Sequence, residues 1–227
     1  MNQPTRLVVL NAGVSDPSST RLIADRVAGR VVAMAQRRDI SVEVTTLDLR
    51  EILPELPGAL ASQHLGPRMQ AAVAALADAD AVVAAAPVYK AGTSGLLTSF
   101  LQVIDNDLLI GTPVILAATA GTARHALVVD QEMRALFAYL RTLPVPTSIF
   151  ATAEDWGDGA LGERLDRAAF ELVSLIASQF RTQVREEAWK AYPHSFGSAG
   201  GREVDIDLTT DLMRLATGGS LTARPKD

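Results

Sequence analysis

Hydroxyl side chains are concentrated in the segment Asn11–Thr20, just before a long stretch with helical periodicity. Ser15, Ser18, Ser19 and Thr20 supply four hydroxyl groups there. The start of a helix presents unpaired backbone N–H groups and the positive end of the helix dipole, and hydroxyls add donors that suit phosphate oxygens. Capping the helix would need only Ser18 or Ser19, so the cluster favours a phosphate site. Because neither G-x-x-x-x-G-K-[ST] nor G-x-G-x-x-G is present, we predict a monophosphate ligand.

A second segment able to contact a ligand is formed by Pro87, Val88, Tyr89 and Lys90, directly after a short apolar run. Pro87 stiffens the backbone where the chain leaves this apolar run, and the backbone groups of Val88 and Tyr89 are then able to contact the edge of a planar ring. Tyr89 offers an aromatic surface and Lys90 a positive charge. An ordinary surface loop explains both side chains equally well, since most lysines are solvated.

The third segment consists of Thr119, Ala120, Gly121 and Thr122. Gly121 permits close approach of the backbone to a flat ligand. Thr122 could instead cap the helix that follows. His125 resembles a catalytic base, but no nucleophile is near it in the sequence. We therefore interpret His125 as a structural residue of the first helical turn or as a contact to a cofactor phosphate.

Several classes of chemistry are excluded by residue types that the chain lacks. It has no cysteine, which excludes thiolate catalysis, disulfides and cysteine metal sites. The G-x-S-x-G elbow of serine hydrolases is missing. His64, His125 and His194 do not have the spacing of metal ligands. We predict no metal site and no catalytic acid or base, so redox chemistry would require a bound cofactor.

The overall composition is that of one globular unit. The chain has 227 residues, of which 48% are hydrophobic, and this is enough to bury a single core. A formal net charge of −5 disfavours a nucleic-acid partner, since phosphate binding needs a basic face. No apolar stretch approaches a membrane span, and the first residues do not resemble a signal peptide. We expect a soluble, cytoplasmic protein.

These segments must be positioned by β-strands and helices that alternate along the chain. Strands are predicted at Leu7–Leu10, Ser41–Leu47, Ala81–Ala86, Pro113–Thr119 and Thr147–Thr152. Helices are predicted at Ser19–Arg38, Met69–Ala77, Ser94–Ile104, Ala123–Thr142 and Leu161–Val184, with a loop over Asp48–Gly66. This alternation predicts an α/β fold with a parallel sheet covered on both faces. The three segments all follow strands, so they should meet at the carboxyl edge of the sheet.

The motifs resemble the NADPH-dependent FMN reductase family of the flavodoxin-like superfamily, from Arg6 to about Val184. The stretch Ala86–Leu96 is similar to the family element P-x-Y-x-x-S-x-S-G-x-L, and Ala118–His125 is similar to A-T-G-G-S-x-x-H. The likeness is greatest to reductases paired with luciferase-like flavin monooxygenases. It implies a flavodoxin-like three-layer sandwich with a five-stranded parallel sheet.

The resemblance also implies which residues bind FMN. The phosphate would be held by Ser15, Ser18, Ser19 and Thr20. The isoalloxazine ring and ribityl chain would be lined by Pro87, Val88, Tyr89 and Lys90. The ring would be bordered on another side by Thr119, Ala120, Gly121 and Thr122.

The resemblance and the change of composition after Glu186 predict two parts of the chain. Residues 1–185 would form the FMN-binding domain, and 186–227 a C-terminal tail that is either flexible or in contact with another subunit. A short helix is predicted in the tail at Asp211–Ala216. Family members are commonly dimers or tetramers, so a homodimer or homotetramer is expected, with contacts from Gly95–Ile104 and the helix after His125.

Five positions depart from the family pattern. Gly13 and Ser15 replace Ser and Arg, so the phosphate lacks one usual positive partner, for which Arg21 is a candidate substitute. At the other departures, Ala120 replaces Gly, Gly92 replaces Ser, and Gln131 stands where alkanesulfonate-type relatives often have a Tyr that belongs to their tetramer helix.

The implied activity is transfer of hydride from NADH or NADPH to FMN, with reduced FMN passing to a two-component monooxygenase. The flavin performs the chemistry, and the protein binds and orients it. A quinone or azo reductase that retains FMN, a flavodoxin-type electron carrier that is not an enzyme, and a fold that binds no flavin are the alternatives. Lys90 and Arg124 are candidate partners for the 2′-phosphate of NADPH.

Overall fold

The computed structural model describes residues 3–189. The predicted helix at Asp211–Ala216, and all of the predicted tail beyond Trp189, lie outside the described residues, so the division into domain and tail stays a prediction. Within residues 3–189, no helix has both the length and the apolar character that crossing a membrane requires.

Seven strands occur in the described part of the chain. They are β1 (Thr5–Asn11), β2 (Val42–Asp48), β3 (Ala81–Tyr89), β4 (Gly92–Thr93), β5 (Pro113–Thr119), β6 (Leu143–Pro144) and β7 (Ile149–Ala151). The order β2-β1-β3-β5 is parallel throughout, and β6 and β7 both pair parallel with β5 as two pieces of a fifth strand. β4 pairs antiparallel with the end of β3. The predicted flavodoxin-like, five-stranded parallel sheet is confirmed.

Helices cover the sheet on both faces. They are α1 (Ser19–Gln36), α2 (Leu56–Ser62), α3 (Pro67–Ala77), α4 (Gly95–Val103), α5 (Arg134–Tyr139), α6 (Gly159–Ala177) and α7 (Phe180–Gln183). On one face, α1 and α6 pack through Val27 and Leu172 onto the odd-numbered residues of the central strands. On the other, α3, α4 and α5 pack through Met69, Phe100 and Phe137. All seven side chains of β5 are buried, as are the first seven of β3, because parallel strands inside a sandwich have no solvent face.

The predicted loop at Asp48–Gly66 contains helix, so that prediction was wrong. A 3₁₀ helix spans Leu49–Ile52 and α2 follows it. Pro57 interrupts no hydrogen bond because it occupies the first turn of α2, where its missing N–H is not needed. Gln63, with a φ of 57°, ends the helix in a left-handed conformation.

The predicted continuous helices at Ala123–Thr142 and Leu161–Val184 are both interrupted. The first consists of a 3₁₀ turn at Ala123–His125, a π-helical turn at Val129–Met133 and the short α5. The second ends after α6, because Gln179 has a φ of 53° and starts the separate α7, which a π-helical turn at Val184–Ala188 extends. Apolar periodicity continued across both breaks, which is why the sequence did not reveal them.

The chain turns sharply as it leaves β7. The Thr152 N–H and Oγ donate to Asp155 Oδ2 at 2.6 and 2.8 Å, forming a capping box at the start of the 3₁₀ helix Ala153–Gly157. The backbone hydrogen bond from Thr152, followed by that of its hydroxyl, lowers the pKa of Asp155 below its ordinary value of 3.8. In the same turn, the Arg26 guanidinium lies 4.9 Å from the centroid of the Trp156 ring.

We predict that Asp155→Ala lowers the free energy of unfolding by about 1 kcal/mol at pH 7, the usual cost of losing a helix cap. Because the folded-state pKa lies below the unfolded value, the carboxylate stabilises the fold above pH 3.8 and loses this effect as the pH falls through the folded-state pKa. Urea unfolding at pH 7 and at pH 3 would measure the difference. Glu154→Ala, an exposed acidic residue of the same turn, is the control and should leave stability unchanged. If Asp155→Ala lowers the free energy of unfolding by the same amount at pH 7 and at pH 3, the prediction is wrong.

Candidate functional site

A cleft of about 330 Å³ lies at the carboxyl edge of the sheet, where β1, β3 and β5 end side by side. Its volume is within the range of small-molecule sites. The lining residues are Gly13, Ser15, Ser19, Thr20, Pro87, Val88, Tyr89, Thr119, Ala120, Gly121, Ala151, Thr152, Ala153 and Trp156. The structure therefore brings the three predicted segments together.

A larger cavity, of about 800 Å³, lies at the opposite edge, around the start of β1. Two arginines line it, and both are already engaged. The Arg181 guanidinium donates to the Ala77 carbonyl at 2.7 Å and to Thr112 Oγ1 at 3.1 Å, and the Arg6 guanidinium lies 3.8 Å from both Asp78 and Asp80. Burial lowers the pKa of Arg181 to about 10. Ligands of open parallel sheets bind beyond the carboxyl ends of the strands, so we take the smaller cleft as the candidate site.

The four hydroxyls of the first segment have different roles. Ser18 is the N-cap of α1, and its Oγ accepts the Arg21 N–H at 3.1 Å. Ser15 and Ser19 are exposed and line the cleft. Thr20 is buried, and its hydroxyl forms a 2.7 Å hydrogen bond with that of Thr119. Within the described residues, the first-turn N–H groups of Ser19 and Thr20 make no hydrogen bond, so they are free to bind an anion.

The predicted substitute cation, Arg21, does not line the cleft. Its guanidinium donates to Asp25 at 2.8 Å and to Asp48 at 2.9 Å, and the bond to Asp25 is the largest cause of its raised pKa. Asp48 also accepts a 2.6 Å hydrogen bond from Asn11 Nδ2, and Asn11 Oδ1 accepts the Gly13 N–H. These bonds hold the exit of β1 beside the end of β2, and they engage the Arg21 guanidinium outside the lining of the cleft.

The second segment is a tight hairpin between β3 and β4. Val88 pairs with Thr93 and Tyr89 with Gly92, which leaves a two-residue turn of Lys90 and Ala91. Their φ angles are 50° and 63°, a left-handed conformation that costs about 1 kcal/mol or more for each residue with a Cβ. Tyr89 lines the mouth of the cleft and is 51% exposed, whereas Lys90 lies outside the lining.

The third segment crosses the floor and one rim of the cleft. Thr119 is buried, and the Ala120 N–H donates to the Ala151 carbonyl at 3.1 Å. Gly121 is exposed at the rim. Thr122 lies outside the lining and makes no side-chain capping bond to the 3₁₀ turn that follows it.

A fourth segment, which the sequence analysis missed, completes the cleft. Ala151, Thr152, Ala153 and Trp156 follow β7, whose carboxyl end reaches the same edge as the other strands. The spacing of Thr152 and Asp155 is that of a capping box after a strand, and it would have indicated this turn.

The cleft fits a planar monophosphate such as FMN. A Cβ on Gly13 would lie 2.3 Å from Ser18 Oγ, so the loop closes tightly in front of the helix N-terminus. The free N–H groups of α1 and the hydroxyls of Ser15 and Ser19 suit phosphate oxygens. Tyr89 offers an aromatic face on which a ring can stack, and Gly121, which has no Cβ, allows the backbone to approach a planar ligand closely. No Lys, Arg or His is among the described residues that line the cleft.

Known proteins support this assignment. A family model described as NADPH-dependent FMN reductase matches residues 5–157. The NADH-dependent FMN reductase SfnF of Pseudomonas fluorescens is 34% identical over 158 residues, which is 70% of this chain and 82% of the relative. The FMN reductase (NADPH) of Pseudomonas aeruginosa is 28% identical over 193 residues, or 85% and 94% of the two chains.

A solved structure agrees. The X-ray structure of an oxidoreductase from Corynebacterium diphtheriae has a TM-score of 0.76 and 40% identity, and the match covers 78% of this chain and 99% of that one. Fold, cleft and sequence similarity thus lead to the same assignment. The chain belongs to the NADPH-dependent FMN reductase family.

Proposed function

We propose that this protein is a cytoplasmic FMN reductase that oxidises NADH or NADPH, reduces FMN, and releases the reduced FMN to a separate flavin-dependent monooxygenase of the luciferase-like type. The observation that carries this proposal is the uncharged cleft at the carboxyl edge, in front of the free N–H groups of α1.

The predicted site residues keep their proposed roles, grouped by the part of FMN they would contact. For the phosphate these are Ser15, Ser18, Ser19 and Thr20, with Ser18 acting mainly through the cap that positions the helix. The ring and ribityl chain would be lined by Pro87, Val88 and Tyr89 and bordered by Thr119, Ala120 and Gly121. Lys90 and Thr122 keep their predicted roles beside these segments, although both lie outside the lining of the cleft.

Bound FMN supplies a ring that accepts a hydride from the nicotinamide. Tyr89, which lines the cleft and is half-exposed, would hold the ring where a nicotinamide could stack on it. Such stacking contributes to the rate through proximity and orientation. Because the nicotinamide transfers a hydride, no side chain needs to act as an acid or base in this step. Backbone N–H groups of the second and third segments would stabilise negative charge that develops on the reduced ring.

The neutral lining favours FMN as an exchanging substrate over FMN as a retained group. A phosphate held only by N–H and hydroxyl donors lacks the opposite charge and the bidentate hydrogen bonding that a guanidinium would add, so it is bound less strongly. Arg21, the cation nearest in sequence, is instead engaged by Asp25 and Asp48. This supports the supply of reduced FMN over the quinone or azo reductase and electron-carrier alternatives.

We propose, too, that the protein forms a homodimer or homotetramer through the segment after His125. Leu127 and Tyr139 of this segment are 64% and 70% exposed, which is unusual for large apolar or aromatic side chains.

The first prediction from the proposed function concerns the oxidation of NADH or NADPH. Flavin-stripped protein should oxidise NADH or NADPH in air with a rate that rises and saturates as FMN is added, because the flavin is the electron acceptor. Absorbance at the nicotinamide band measures the rate, and a quinone added at fixed low FMN is the control. Absence of oxidation at every FMN concentration would refute the enzymatic function, and a strong stimulation by quinone would favour the alternative reductase.

A second prediction concerns retention. Because the cleft offers the phosphate no cation, protein loaded with FMN should lose its flavin on gel filtration, as followed by absorbance in the protein peak. Flavin that elutes with the protein in equimolar amount would argue for a bound prosthetic group.

A third prediction tests the phosphate loop. Gly13→Ala should weaken FMN binding by about fivefold, because its Cβ would displace the Ser18 hydroxyl and disturb a cap that contributes about 1 kcal/mol. Flavin fluorescence quenching measures the Kd. The control is Gly29→Ala in α1, the helix that follows this loop, where a Cβ meets no atom within 4 Å outside its own stretch of helix and FMN affinity should not change. Equal Kd values for the two variants would place the phosphate elsewhere.

A further inference from the structure

The hairpin that carries Tyr89 is built from residues that do not favour its shape. A two-residue hairpin turn with both φ angles positive is normally formed by Asn-Gly or Gly-Gly, whereas here it is Lys90-Ala91. Strained residues of this kind persist only when the surrounding structure determines their conformation. Contacts outside the turn must therefore hold the hairpin closed.

One side chain makes such a contact. Glu132 Oε2 accepts the backbone N–H of Thr93, in β4, at 2.7 Å. A Cβ on Gly92 would lie 3.4 and 3.7 Å from the two carboxylate oxygens, so the carboxylate lies against the returning strand of the hairpin. The Thr93 hydroxyl is buried and, within the described residues, has no hydrogen-bond partner, so the side chain of Thr93 does not anchor this strand.

Within the described part of the chain, the carboxylate of Glu132 makes no other polar interaction. Among residues 3–189, the Thr93 N–H is its single hydrogen-bond donor, and no Lys, Arg or His pairs with it. It is partly buried, and a carboxylate in such a position is normally paired or hydrogen-bonded. The hydrogen bond to the hairpin therefore explains why a carboxylate is partly buried at this position.

Glu132 is presented by a well-anchored element. It belongs to the π-helical turn Val129–Met133, and both of the terminal residues of that turn are fully buried. Asp130 and Arg134 bind each other at 3.0 Å, and both bind the Ser148 hydroxyl at 2.6 Å. The turn is thereby attached to the segment before β7, and Glu132 has a rigid base.

We propose that Glu132 is a positioning residue that holds the Tyr89–Thr93 hairpin closed and so fixes the wall of the cleft formed by Pro87, Val88 and Tyr89. This deepens the proposed function and rests on it for the identity of the ligand. Glu132 is not among the residues that line the cleft, and it acts through the Thr93 N–H. It links the second segment of the cleft to the chain that follows the third.

The experiment compares Glu132→Ala, Glu132→Gln and the double variant with Ala91→Gly in the Glu132→Ala background. Glu132→Ala should raise the KM and Kd for FMN about tenfold, with kcat at saturating FMN within about twofold, since one charge-assisted hydrogen bond is lost. Glu132→Gln keeps an acceptor oxygen and should stay within about threefold of the wild type. Ala91→Gly removes the strain of the turn and should recover most of the lost affinity.

Glu163→Ala, which removes an exposed carboxylate from α6, is the matched control and should leave these constants unchanged. Thermal unfolding confirms that each variant is folded. An unchanged Kd in Glu132→Ala would overturn the proposal, as would a loss of affinity that Ala91→Gly does not recover.

A second readout does not depend on the flavin. In FMN-free protein, exchange of the Thr93 amide hydrogen should be slow in the wild type and in Glu132→Gln and fast in Glu132→Ala, as followed by nuclear magnetic resonance. If the wild type binds no FMN, the proposed function fails, and this amide still decides whether Glu132 holds the hairpin. Equal exchange in all three proteins would overturn the proposal even if FMN binds.

Discussion

The burial of β3 and β5 on both faces is the constraint on which the rest of the structure depends. Their central positions carry apolar side chains only, because helices cover both sides of the sheet. Polar groups that could contact a ligand are thereby restricted to the ends of the strands. Since the long strands are parallel, every carboxyl end lies at one edge, and four chain segments converge there without sharing any sequence motif.

A single buried hydrogen bond joins the two sides of this edge. Thr20 belongs to the first turn of α1 and Thr119 to the end of β5, and β3 lies between β1 and β5. The bond between their hydroxyls therefore connects the segments on either side of the β3 exit. It also uses the Thr20 hydroxyl, so the hydrogen-bond donors that stay free there are the Ser15 and Ser19 hydroxyls and the first N–H groups of the helix. The result is a cleft that would hold a phosphate through dipoles and neutral donors.

Local patterns predicted the long elements well and the short ones poorly. β5 was predicted at its observed bounds, and α1 within two residues, because each buries a continuous apolar run or stripe. The helix α2 was missed because it has only seven residues and contains Pro57, which typically indicates a loop but is tolerated in a first turn. The interruption at Val129–Met133 was missed because apolar residues recur every three or four positions across it. Val129, Met133, Phe137 and Leu140 are all buried, so the periodicity is that of a continuous helix.

The sequence by itself determined the order of the long strands and helices, the parallel sheet, the exclusion of cysteine chemistry and three of the segments that line the cleft, because each depends on residue types or on apolar period. Only the tertiary structure decided which polar groups remain free there. Ser18 is used as a cap, Arg21 is directed to Asp25 and Asp48, and Glu132 reaches the hairpin from 39 residues away. Each of these groups could bind several partners, and folding determines which partner comes within hydrogen-bond distance. No local sequence pattern therefore predicts these bonds.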